Sequence, residues 1–374
     1  MKNILITGGA GFIGSNLALK LLPDGYKVRV LDNLSPQIHG INPDLTSPLY
    51  LSIKNDVEFI HGDVINKSDV EKAVKNQDIV IHLAAETGTG QSMYELSRYM
   101  KTNVLGTAVL LEECLQANVK RFLLTSSRAV YGEGTWRCPF CGIVHPSLRE
   151  REDGLLESWN PRCPKCGAFT MDLLATSEDE SILPTSIYGV SKASQEQLVN
   201  IVGQTSNMSS AILRLFNVFG PGQALNNPYT GVMGVFVNRA RAGKPIDLYE
   251  DGEIIRDFVY VDDVVESIIS AIISENTGTI NIGSGYPLTI RHLAEMVLNL
   301  ISSSSTMMVT GKMRIGDVRG LVANKSFAEQ TLQWCPSTDF NEGLRKFVEW
   351  ALQYDFKDRY EESLKELCQR GLYR

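Results

Sequence analysis

No stretch of this 374-residue chain stays apolar for anything near the roughly 20 residues a helix needs to cross a bilayer, so no membrane span is expected. Positive charge is also short. Thirty-six Lys and Arg face 43 Asp and Glu, a net charge of −7, and no overall basic field would draw in a nucleic acid. Cysteine is sparse and uneven: of seven, four sit in two close CxxC pairs, unlike the dispersed framework of a disulfide-rich secreted protein. Met1 and Lys2 run straight into "NILITGG", without the charged start and apolar core of a signal peptide. Reduced thiols and a cytoplasmic location are the expectation. Apart from "ISSSSTMM" at 301–308 there is no low-complexity tract, and no internal repeat.

What the chain does have is strand–helix alternation with chemistry at the joints. "NILITGGAGFIGSNLALKLL" places an apolar strand before Gly8, Gly11 and Gly14, followed by helical periodicity. A second strand, "KVRVLDN", ends at Asp32 and Asn33, with Asp32 eighteen residues beyond Gly14. Such glycines permit a tight turn and close backbone approach, and the helix N-terminus, at Phe12 and Ile13, meets a pyrophosphate. Asp32 can accept hydrogen bonds from both ribose hydroxyls and would repel a 2′-phosphate, which favours NAD over NADP. Further strands end at Asp63 and Val64, where a carboxylate can reach an adenine amine, and at Leu83, Ala84 and Ala85, where a cofactor backbone can lie close. Another ends at Ser126 and Ser127. Small and polar residues just past strand C-termini outline the crevice of a doubly wound parallel sheet.

"TSIYGVSKASQEQLV" supplies Tyr188 and Lys192, one helical turn apart on one face. A phenol ionises near pH 10, and an ammonium one turn away beside a nicotinamide cation would lower that value. Ser127 offers a hydroxyl for the same substrate oxygen. Tyr and Lys share this spacing by accident in many helices; after a full cofactor fingerprint the pair reads as catalytic.

With these residues in place the chain resembles the extended short-chain dehydrogenase/reductases, specifically their nucleotide-sugar epimerases and dehydratases. The resemblance runs through TGGAGFIG (7–14), HLAA (82–85), Asn103 in "KTNVLGT", "RLFNVFGPGQ" (214–223), "RDFVYVDDV" (256–264), "NIGSG" (281–285) and "GDVRG" around Asp317 and Arg319. It implies that Asn103 belongs to the cofactor site, that Asn217, Arg256 and Arg319 hold a substrate diphosphate, and that Thr87 and Ser127 face the sugar. A guanidinium fork suits phosphate oxygens, although each arginine taken alone reads equally as half of a surface ion pair. The family's dehydratases carry an Asp-Glu pair after the catalytic hydroxyl. Here Arg128 and Ala129 follow Ser127, so a 4-epimerase acting through a transient 4-keto sugar is the expected reaction. Arg128 departs from the small or uncharged residue usual there; contact with substrate and pairing with a carboxylate both remain open. Asn324 stands where the family has aspartate. Several segments also resemble a subgroup of dTDP-L-rhamnose 4-epimerase-like proteins that carry CxxC pairs. A 4-keto reductase, a dehydratase and a non-catalytic NAD-sensing scaffold are the alternatives.

The expected architecture is a Rossmann domain at 1–211 and a smaller α+β substrate region at 212–374, interleaved with the last Rossmann strands. A zinc-ribbon-like insert occupies 133–182. Cys138, Cys141, Cys163 and Cys166 have the spacing of a closed, four-thiolate structural zinc site, with disulfides or a redox pair as the alternative and His145 as a spare ligand. Because "REREDG" cannot build an apolar core, a metal is the expected source of order there. The insert lies between Ser127 and Tyr188, which suggests a flap beside the substrate cleft. Finally, the resemblance implies that helices around 95–117 and 186–204 pair across a two-fold axis, making a homodimer.

Overall fold

The computed structural model describes residues 2–149, 158–225, 227, 229, 231–274, 276–354 and 358–374. Most of the run "REREDG" lies outside them.

Alternation along the first strand sets up two cores. Ile4 and Ile6 of β1 (Asn3–Thr7) pack into one cluster with Leu17 and Leu21, while Leu5 points to the other, with Val70, Leu110 and Val199. A strand buried on both faces needs apolar residues at every position, and that is the composition of a covered parallel sheet. The sheet has seven strands. After β1 come β2 (Lys27–Asp32), β3 (Glu58–His61), β4 (Ile79–His82), β5 (Arg121–Ser127), β6 (Ser209–Leu215) and β7 (Gly278–Ile282). Their spatial order is β7-β6-β5-β4-β1-β2-β3, and every neighbouring pair is parallel. The winding reverses between β1 and β4, the switch point where such sheets open a ligand crevice.

Three helices place the chemistry. α1 (Phe12–Leu21) follows the glycine turn, and no side chain caps its first turn at Gly11. α2 (Gly106–Gln116) continues a helical path that passes through a widened π-turn over Met100–Leu105. α3 (Ile187–Thr205) is capped by Ser186, whose hydroxyl accepts from Gly189 N at 3.1 Å. Capping holds Tyr188 in the first turn, over the end of β5.

The C-terminal half adds α4 (Val232–Arg241), α5 (Tyr360–Gln369) and a four-stranded sheet in the order Leu288–Thr289, Ile255–Arg256, Gly320–Ala323, Ala175–Thr176. Buried Asp257 pins this sheet to the Rossmann edge, accepting from the amides of Ser284, Gly285 and Ala323 at 2.8–3.0 Å. The cysteine segment forms its own antiparallel sheet of Gly142–Val144, Trp136–Cys138 and Asp172–Leu173. Trp136, Val144 and Met171 gather around Cys138 and Cys163. So few side chains cannot order a segment of this length unaided.

Candidate active site

Backbone contact, rather than side chains, shapes the first cavity. Gly8 has φ +69°, and a Cβ there would meet Ala84 N at 2.7 Å. A Cβ on Gly14 would lie 2.6 Å from Gly8 O. Only glycine lets β1, α1 and β4 close to this distance. The result is a cavity of about 340 Å³ lined by Gly8, Gly11, Phe12, Ile13, Gly14, Asp32, Asn33, Asp63, Val64, Leu83, Ala84 and Ala85, as expected from the sequence. Asp32 uses one lone pair on each oxygen, for Ala10 N at 3.0 Å and Leu34 N at 2.9 Å, which leaves acceptor capacity for ribose hydroxyls. The uncapped amides of α1 face the same space. The donors and acceptors fit a dinucleotide.

Asn103 sits one layer behind the cavity wall. It is fully buried and does not line this cavity; its amide clamps Glu86 N and O at 2.8 and 3.0 Å and donates to Ser191 Oγ at 2.9 Å. It braces the loop after β4 against α3, and neighbouring Thr102 reaches the cavity instead.

A second cavity, about 400 Å³, opens from the first, and the two share Thr87, Ser127 and Tyr188. Burial pushes the Tyr188 phenol up, while its hydrogen bond with the Ser127 hydroxyl and the Arg128 guanidinium pull it back. The sequence predicts that Lys192 draws the phenol down; here the downward pull comes from Ser127 and Arg128. Lys192 Nζ donates to Thr125 O at 2.9 Å, and burial lowers its own ammonium to about 8, with Glu196 opposing. Glu196 is itself buried against Arg214 at 2.8 Å, a pairing the sequence did not reveal.

Beyond the tyrosine the second cavity is cationic. Asn217, Arg128, Arg256 and Arg314 line it with Asp317. Arg128 Nε donates to Asn217 Oδ1 at 3.1 Å and Arg256 Nη1 to Ile255 O at 2.9 Å. Among the described residues neither guanidinium has a carboxylate within ion-pairing distance. Burial lowers Arg128, and lowers Arg256 to about 9, each repelled by a neighbouring arginine. Arg319 does not line this cavity: Glu250, Asp251 and Asn160 hold its guanidinium at 2.7–3.1 Å. Arg314, five residues earlier, reaches the cavity in its place, gripped by Asp317 at 2.8 and 3.0 Å.

The sequence profile of the NAD dependent epimerase/dehydratase family matches residues 4–143 and 168–283. The chain belongs to that family. Its relatives include a dTDP-L-rhamnose 4-epimerase of Burkholderia thailandensis, 37% identical over 94% of this chain and 95% of that one. A UDP-glucose 4-epimerase of Thermotoga maritima solved with UDP-glucose is 29% identical, TM-score 0.77, covering 94% of this chain and 99% of that one. A Bacillus cereus UDP-glucuronic acid 4-epimerase solved with UDP-glucuronic acid and NAD is 27% identical, also at 0.77, with the same coverage. The kinship is with NAD-dependent nucleotide-sugar epimerases, as the motifs implied.

The profile breaks over the cysteine insert. There the Sγ atoms of Cys138, Cys141, Cys163 and Cys166 lie within 4.8 Å of one another, and Cys138 to Cys166 is 3.6 Å. Tetrahedral zinc with 2.3 Å bonds to sulfur would separate thiolates by roughly 3.8 Å, so the four fit one ion. His145 is not among them; it pairs with Glu180. No described residue of the insert lines either cavity. No helix of the described residues is long and apolar enough to cross a membrane.

Proposed function

We propose that the protein inverts C4 of a nucleoside-diphosphate hexose, with dTDP-L-rhamnose and its C4 epimer, dTDP-6-deoxy-L-talose, as the leading pair. The carrying observation is the pair of carboxylate-free guanidiniums, half-buried Arg128 and buried Arg256, beside Ser127 and Tyr188. Two such charges cost several kcal/mol each to bury, and a diphosphate offsets that cost through charge-assisted, forked hydrogen bonds. A sugar attached to it reaches the junction of the two cavities.

There Ser127 hydrogen-bonds O4 and Tyr188 takes the proton of the 4-hydroxyl, returning it after the sugar has turned its other face. Ser127 and Arg128 draw the phenol down against the effect of burial, and Lys192 orients the cofactor ribose. Bound NAD supplies the hydride acceptor and donor, so no net redox change results; Gly11, Asp32 and Lys192 would hold it. Asp32 favours NAD over NADP. Arg128 and Ala129 leave no acid–base pair for dehydration.

At the far end of the second cavity, Asp247 and Tyr249 sit under α4 and α5. Asp247 Oδ2 accepts from Tyr360 at 3.0 Å, while Oδ1 is buried without a partner. One free acceptor matches the single N3–H of thymine or uracil, and cytosine has none.

The four cysteines would hold a structural zinc, with no chemical role. Exposed Val190 and Ile201, three turns apart on one face of α3, with Leu105 and Leu115 near α2, support a homodimer through these helices. Paired, reduced thiols support the cytoplasm. The test is to incubate the protein with dTDP- and UDP-hexoses and separate epimers by chromatography. Conversion of dTDP-L-rhamnose is expected; conversion of none would end the epimerase reading.

A further inference from the structure

Resting on the nucleotide-sugar reading, we propose that the cysteine insert is a fixed buttress whose Arg149 positions the phosphate-facing guanidiniums. Order in the insert then sets affinity for the nucleoside-diphosphate half of the substrate. Arg149 is 6% exposed and lies inside the insert, yet it reaches out of it: its partners are Glu133 at the start of the insert, Glu250 from the C-terminal half, and Asp317, which lines the substrate cavity. Nε donates to Glu133 Oε1 at 2.7 Å, and Nη2 donates to Asp317 O at 3.0 Å and lies 2.8 Å from Glu250 Oε1. Nη1 returns to the insert at Trp159 O, 2.9 Å.

Each contact leads toward the arginines of the cavity. The other oxygen of Glu133 accepts Arg319 N at 2.7 Å, and the Arg319 side chain takes Asn160 of the insert on one side and Glu250 and Asp251 on the other. Asp317, held through its carbonyl by Arg149, holds Arg314 through both carboxylate oxygens. A shift of Arg149 therefore moves the anchor of a guanidinium that faces the phosphates.

Charge makes the second argument. Glu133 and Glu250 are buried and lie within the field of Arg256, where each favours its charged form. A guanidinium that closes onto a carboxylate is no longer a receptor for phosphate. Arg149 neutralises both acids and leaves Arg256 facing the cavity.

The insert is tied at both ends. Ala175–Thr176 adds a parallel strand beside Gly320–Ala323, directly after Arg319, and Trp136 Nε1 donates to Glu133 O at 2.7 Å. The cysteine cluster closes the loop between: Cys141 precedes Arg149 by eight residues and Cys163 follows Asn160 by three. A metal there would fix the span that carries Arg149, Trp159 and Asn160, lowering the entropy lost in holding them.

The decisive variant is Arg149→Lys in the full chain carrying NAD. Lysine keeps a positive charge between Glu133 and Glu250, so the fold should survive, but it loses the fork that reaches Asp317 O and Trp159 O. Calorimetric titration with dTDP should show Kd weakened about ten-fold, with KM raised in step and kcat and bound NAD as in the wild type. The variant Cys163→Ser/Cys166→Ser should lose metal and weaken dTDP by a similar factor, and adding Arg149→Lys should weaken it no further, because both act through one route. A Kd for Arg149→Lys within about two-fold of wild type overturns the proposal, as do fully additive losses. A wild-type protein that binds neither dTDP nor UDP overturns instead the nucleotide-sugar reading beneath it.

Discussion

Arg128 donates to Asn217 Oδ1 at 3.1 Å, and its guanidinium lines the second cavity together with Tyr188 and Arg314. Of the two readings open in the sequence, contact with substrate is the one we pursue: among the described residues Arg128 lines the cavity without an ion-paired carboxylate. Arg128→Met should therefore raise KM for the sugar nucleotide by about 10–100-fold, the worth of a charge-assisted hydrogen bond. A smaller loss of kcat should accompany it, since the guanidinium also draws the Tyr188 phenol down. Steady-state kinetics at saturating and limiting substrate separate the two effects.

The pH profile follows from Lys192. Burial brings its ammonium to about 8, and Glu196 holds it from falling further. The protonated form, which attracts the phenolate and the cofactor ribose, is present below that value and lost above it. The plot of kcat against pH should fall on its alkaline side through about 8. Glu196→Gln removes the charge that supports the ammonium, so the limb should move to lower pH. A limb that stayed in place or moved up would contradict this.

Base selectivity tests the far end of the cavity. The free Oδ1 of Asp247 asks for an N–H donor, so dTDP and UDP should bind about 10-fold or more tightly than CDP. Asp247→Asn, which can present a donor to cytosine N3, should narrow that gap. Equal binding of all three diphosphates to the wild type would remove Asp247 from base recognition.

The cofactor site was legible because its determinants are local. Gly8, Gly11, Gly14, Asp32, Ala84 and Ala85 each act at a strand end through backbone geometry that short motifs encode. Tyr188 and Lys192 were legible for the same reason, being one turn apart on a single capped helix. The substrate arginines were only half legible. Arg314 and Arg319 are five residues apart, and which one reaches the cavity is decided by Glu250, Asp251 and Asn160, which arrive from distant segments. The partners of Asn103, Glu86 and Ser191, are likewise far off in sequence. Glu196 and Arg149 gave no local signal at all: each is a buried charge whose meaning depends on an oppositely charged neighbour brought in by the fold. The side-chain oxygen of Asn324 accepts from Ser326 N at 3.1 Å, a contact that an aspartate in its place would also make.

The central claim is that one C4–H hydride leaves and returns within a single bound complex, with Tyr188 moving the proton. It is tested most directly with dTDP-L-rhamnose deuterated at C4, no added NADH, and mass and NMR analysis of the recovered sugars. The account expects the C4 epimer to appear with deuterium retained at C4 and nothing taken up from solvent. In the Tyr188→Phe protein, with NAD still bound, the rate should fall by about 10²–10⁴-fold. Epimer that has exchanged its C4 deuterium with solvent, or full turnover in Tyr188→Phe, would contradict it.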